Sequence, residues 1–187
     1  MGTIILLVVV AAIAIWVIGA YNGLISLKNQ VINAWKQIDV QLKRRHDLIP
    51  NLVNTVKGYM QFEQTTLEAV ISARNKAVAA QGVPATARAE GELSQALGRL
   101  FALSENYPEL KSSENFKMLQ DQLEGTENRI ATARTDYNGA VEKFNATVRR
   151  FPSNLTAKLF GLGKPRPYFE LTTPGAAEVP KVDFGKP

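Results

Sequence analysis

Residues 44–57 read RRHDLIPNLVNTVK, and they bring together most of what this chain offers as chemistry. Two arginines, the only histidine (His46), Asp47 and Pro50 lie between two apolar-periodic stretches. An imidazole beside a carboxylate could act in proton transfer or hold a metal, and paired guanidinium groups could hold an anion. The rest of the chain supplies few partners for such work. With no cysteine there are no disulfides, thiolate metal sites or cysteine nucleophiles. Zinc would have to rely on carboxylates, and a di-iron bundle needs two Glu-x-x-His pairs where this chain has one histidine. Neither GxxxxGK[ST] nor GxGxxG occurs. Ser, Thr and Asp are present, but none is paired with a base at a recognisable spacing. No catalytic, cofactor-binding or metal-ligating residue is therefore assigned, and no enzymatic activity is expected.

What remains for RRHDLIP is a helix-turn motif. Asp47 would cap a following helix, accepting bonds from its free N–H groups. Pro50 would fall in that helix's first turn, where its missing N–H removes no intrahelical bond. Lys43, Arg44 and Arg45 would close the preceding helix, where cations suit the exposed carbonyls. Anion or partner binding is the alternative reading.

The elements around this motif are all helical. Met1 to Leu27 carries no charged side chain, and its centre, TIILLVVVAAIAIWVIGA (Thr3 to Ala20), spans roughly 27 Å at about 1.5 Å per residue. A cleaved signal peptide is the competing reading. No Lys or Arg precedes the run, it exceeds an ordinary signal core, and Ile18 occupies the −3 position where a small residue is wanted. An uncleaved transmembrane anchor is expected instead. Lys28, Lys36, Lys43, Arg44 and Arg45 all follow it, so the positive-inside rule puts the N-terminus outside and the remainder in the cytoplasm.

After the anchor, Leu24, Leu27, Val31, Trp35, Ile38 and Leu42 mark one helical face, with no Gly or Pro between Leu24 and Asp39 to separate it from the anchor. A second stripe, Ile49, Leu52, Val53, Val56, Met60, Leu67, Val70 and Ile71, predicts another helix to about Ala80. Gln81 to Ala87 reads as a loop. A third helix carries Leu93, Leu97, Leu100, Phe101 and Ser104 and stops near Pro108. In the fourth, Phe116, Leu123, Ile130, Tyr137, Phe144 and Phe151 recur every seven residues, between a Ser112 or Ser113 cap and a Pro152 stop. The fold class is all-α: a transmembrane helix, an antiparallel bundle of about four long helices, and an extended Pro/Gly-rich tail. The corresponding divisions are 1–21, anchor; 22–152, bundle; and 153–187, a short membrane-proximal helix and the tail.

RRHDLIPNLVNTVKGY resembles the signature of the LemA family, which opens with an N-terminal transmembrane helix followed by YN, here Tyr21-Asn22. AWKQIDVQLKRR (34–45), ISARNKA (71–77), ENYPELKSSENF (105–116) and LEGTENRIATARTDYNGAVEKFN (123–145) resemble the same family in the same order. The resemblance covers nearly the whole chain. It implies a membrane-anchored α-helical bundle of the bacterial inner membrane and implies no reaction.

Two charged groupings remain. Glu63 and Arg74 fall on the apolar stripe of the second helix, and Glu127 and Arg134 interrupt that of the fourth. Buried charges persist only when paired, so these four are expected to form a polar network fixing helix register, or else to bind a ligand or a second subunit. Counting helix directions returns the fourth helix to the bilayer, which would make Arg149, Arg150, Lys158, Lys164 and Arg166 lipid-facing, with Leu155, Leu159, Phe160 and Leu162 dipping into the interface. On the alternative, these residues cap the open end of the bundle. The net charge of +5 alternates in sign along the chain, so nucleic acid is not an expected partner. The expected function is a membrane-anchored scaffold or adaptor, working as a homo-oligomer on the membrane surface or with a membrane protein partner. An accessory subunit of an envelope protease or transporter is the alternative.

Overall fold

The computed structural model describes residues 1–59 and 63–170. Among them the only regular elements are six α-helices: α1 (Gly2–Lys57), α2 (Gln64–Ala79), α3 (Val83–Ser104), α4 (Pro108–Ser112), α5 (Glu114–Arg149) and α6 (Ser153–Leu159). The all-α, long-helix expectation holds. Met60 and the chain beyond residue 170, where most of the tail was expected, lie outside the described residues.

The helix boundaries correct the expected turn at Arg45, Asp47 and Pro50. Anchor, first helix and the start of the second are one element, and α1 runs through Pro50 without a break. Asp47 is therefore not an N-cap but an exposed mid-helix residue, and Arg45 is buried. Proline inside a helix costs about 3 kcal/mol, because it cannot donate to the carbonyl four residues back and its ring crowds that group. What outweighs this cost is the phase of the apolar stripe. Leu42, Ile49 and Val56 keep a seven-residue spacing across the proline, as do Ile38, Arg45 and Leu52, and all six are buried while Pro50 is exposed. Each fully buried aliphatic side chain contributes roughly 1.5–3 kcal/mol. The break comes later, at Gly58, where the Tyr59 amide donates to the Val56 carbonyl at 2.9 Å.

The chain divides into two compact units. The first comprises residues 1–48 and 121–168. Here α1 and α5 are antiparallel partners. Trp35 meets Tyr137 edge-on with ring centroids 5.5 Å apart, and Arg45 meets Glu127 further along α1 and earlier along α5. The seam is built from two seven-residue tracks, Leu24, Val31, Ile38 and Arg45 on α1 against Leu123, Ile130, Tyr137 and Phe144 on α5, all buried. Helices whose apolar residues recur every 3.5 positions keep one face turned to a partner over such a length. Phe151 continues the track in sequence but not in space: α5 ends at Arg149, and Phe151 is 74% exposed. After α6 the chain runs back along α5. Asn145 brackets Arg166, accepting from its amide at 2.7 Å and donating to its carbonyl at 2.9 Å, and the Tyr137 hydroxyl donates to the Pro167 carbonyl at 3.0 Å.

The second unit comprises residues 49–120 together with Phe169 and Glu170 among the described residues. Its centre is the α2–α3 hairpin, whose buried faces are Leu67, Val70, Ala73 and Ala77 on one side and Leu93, Leu97 and Leu100 on the other. The expected loop of residues 81–87 shrinks to a sharp turn. Gly82 takes φ +80°, which glycine adopts without a Cβ penalty, and Pro84 sits in the first turn of α3, where it forfeits no bond. Phe101 and Phe116 close the far end edge to face, with centroids 6.2 Å apart.

Candidate functional site

Three places in the structure gather polar groups. In the first unit, Arg45 occupies a track position otherwise held by aliphatic residues and forms an ion pair with Glu127 at 3.0 Å. The guanidinium side chain is 5% exposed and the carboxylate side chain 42%, so the pair runs from the seam outward to solvent. Its neighbour Thr126 is buried and donates back to the Gln122 carbonyl at 2.7 Å. His46 is buried and has partners, as does Arg134 on the next turn-pair of α5. Arg45 was expected at a helix end and is instead the buried half of this pair. The signal was in the sequence: counting sevens from Leu24 reaches Arg45.

In the second unit, Glu63 does not continue a stripe. It is the residue before α2, and its carbonyl accepts from the Thr66 and Leu67 amides at 3.1 and 3.2 Å. Its carboxylate accepts from the Tyr107 hydroxyl at 3.1 Å, tying the start of α2 to the segment before α4. Partial burial, with the hydrogen bond and charge of Glu63 added to it, raises the Tyr107 phenol above its usual value of 10.0. Arg74 is half-buried, touches the Asn75 side chain at 3.3 Å and has further partners. Glu90, 1% exposed and also partnered, was not foreseen. Stepping one turn back from Leu93 on the α3 stripe reaches it, the same operation that picks out Glu63 and Arg74. Glu63 and Arg74 belong to the second unit, Glu127 and Arg134 to the first.

The third place is the end of the first unit next to the apolar run. None of that run is buried, and among the described residues α1 is the one helix long and apolar enough to cross a membrane. Burial begins just past it, at Leu24. There the Tyr21 ring meets Phe160, at the end of α6, with centroids 4.7 Å apart. Arg149, Arg150, Lys158 and Lys164 are exposed around this end. Arg166 is apart from them, held beside Asn145 with its guanidinium 5.9 Å from the centre of the Phe144 ring.

Among the described residues no three His, Asp or Glu side chains gather as metal ligands. Comparison with known proteins gives a consistent result. A model of the LemA family matches residues 34–184. The magnetosome proteins MamQ 2 and MamQ 1 of Paramagnetospirillum magneticum are each 28% identical over 176 residues, covering 80% of this chain and 64% of their own length. Protein LemA of Metamycoplasma hominis is 26% identical over 168 residues, covering 89% of this chain and 74% of its own. The chain thus spans just under two-thirds of the MamQ proteins it matches.

Proposed function

The chain belongs to the LemA family, and from that premise we propose that it is a membrane-anchored, non-enzymatic scaffold that self-associates on the membrane surface. One observation carries this reading: the helix that is apolar and uncovered over its first turns is the same helix that forms the core seam from Leu24 onward. A core continuous with its anchor is suited to holding position at a membrane. The Arg45–Glu127 pair lies on the α1–α5 seam, where its work is to set register. The names of the relatives, magnetosome protein and LemA, share no reaction. By the positive-inside rule, the cations after the anchor hold the helical part in the cytoplasm at the inner membrane.

The full chain, tagged and crosslinked in native membranes before solubilisation, tests this. The expected product is a ladder in steps of the 20.5 kDa chain mass, without a second protein in equal amount. An equimolar protease or transporter would overturn the scaffold reading and make the chain an accessory subunit.

A further inference from the structure

The short helix α6 turns the wrong face outward for a protein surface in water. Its buried residues are Thr156 and Ala157, whereas Leu155 and Leu159 are 55% and 74% exposed. With Lys158 they lie at i, i+3 and i+4, one face of the helix. Phe151, in the turn before α6, is 74% exposed, and Phe160 is 46% exposed despite its contact with Tyr21. These side chains are carried on a well-tied backbone. Gly161 takes φ +69°, the Leu162 amide donates to the Ala157 carbonyl at 2.7 Å and the Gly161 amide to Lys158 at 3.3 Å, the bond pair that closes a helix C-terminus. A segment that served only to cap the bundle would turn its leucines inward and its threonine outward.

The position of this face supplies its occupant. Phe160 touches Tyr21, the residue after the apolar run Thr3–Ala20, so α6 sits where α1 leaves its uncovered stretch. Exposed Arg149, Arg150, Lys158 and Lys164 alternate along the chain with the exposed apolar residues. An apolar face interleaved with cations beside a transmembrane span fits the headgroup boundary of a bilayer, the rings and leucines among the acyl chains and the charges at anionic phosphates. We propose that the α5–α6 junction is a second lipid-binding site, a collar that seats the helical part on anionic lipid at the foot of α1. Arg166, engaged along α5, is not part of it. The inference rests on residues 3–20 being the anchor.

The full, cysteine-free chain in lipid nanodiscs allows a direct test with single cysteines carrying a spin label at Leu159, at Ile13 within the anchor, and at exposed Val78 as a water reference. Collisions with oxygen report lipid and collisions with a water-soluble nickel chelate report solvent. In discs containing phosphatidylglycerol, the Leu159 label is expected to behave like the Ile13 label. Replacing Arg149, Arg150 and Lys158 by glutamine should shift it towards the Val78 pattern, by about fivefold in its lipid–water distribution for each charge removed, and high salt should act likewise. An Ile13 label in lipid with a Leu159 label in water overturns the collar and leaves the anchor intact. Both labels in water overturn the two together. A Leu159 label in lipid, indifferent to phosphatidylglycerol, salt and the glutamine variant, overturns the role of the cations.

Discussion

The two ion pairs Arg45–Glu127 and Lys76–Glu92 are nearly the same length, 3.0 and 3.2 Å, and have little else in common. The first lies on the α1–α5 seam, with its arginine 5% exposed. The second bridges α2 and α3 in open solvent, its side chains 64% and 48% exposed. Water screens the second and leaves both side chains free to wander, so it contributes little. The first holds a desolvated cation that would be costly to leave without its carboxylate. Exposure, not distance, decides which of these charges specifies structure. On a track of aliphatic residues the buried pair also marks a single register of α1 against α5.

Removing Glu127 should therefore be the most damaging single change. Glu127→Ala is expected to cost about 2–3 kcal/mol, below the range for a fully buried pair because its carboxylate is partly exposed. Arg45→Met, which removes the charge but keeps the bulk, should cost less than about 1 kcal/mol in the same thermal or denaturant unfolding measurement. Equal losses from both would mean that volume rather than charge governs the site.

Pro50 comes next. In a helix interior, proline is about 3 kcal/mol worse than alanine, and it recovers up to about 1 kcal/mol by restricting the unfolded chain. Pro50→Ala should thus stabilise the protein by about 2 kcal/mol. A turn at this position would make the same change destabilising.

Tyr137, on the same seam, responds to pH. Burial raises its phenol above 10.0 despite the opposing charge of Arg166. The folded state then keeps its proton at a pH where the unfolded chain has lost it. The resulting stability is complete below pH 10.0 and is lost as pH rises through the higher folded value. Tyr137→Phe should remove part of that alkaline loss, with Tyr107 supplying more of it, while costing about 1 kcal/mol at neutral pH for the hydrogen bond to Pro167. Smallest of all, Lys76→Ala should change stability by less than about 0.5 kcal/mol, and salt should erase the difference.

The parts of this fold that were legible in the sequence are those where one periodicity had no competitor. The run Phe116, Leu123, Ile130, Tyr137, Phe144 identifies α5 to within a few residues, and the apolar run at residues 3–20 identifies the anchor. RRHDLIP misleads because its local signals and its long-range phase disagree. Asp47 and Pro50 are good helix starters taken alone, yet the stripe passes through them unshifted, and burial along α1 from Leu24 onward prevails over one lost hydrogen bond. Glu63 misleads in the opposite direction, since its spacing from Met60 fits a continuing helix while Gly58 ends one. The polar groups were found as types but not as pairs, because partners such as Arg45 with Glu127 and Glu63 with Tyr107 are set by how helices meet. Nor could sequence say which face of residues 153–159 is covered, because seven residues hold both patterns.

One unbroken helix joins the apolar run to the core. Asn22 and Gly23 are where a hinge would otherwise fall. Spin labels on cysteines at Ile18 and Val40, both exposed positions of α1, measure this directly by pulsed dipolar spectroscopy in nanodiscs. Twenty-two helical residues separate them, so a narrow distribution near about 33 Å is expected. A broad distribution centred well below that distance would show a hinge at the membrane surface and contradict it.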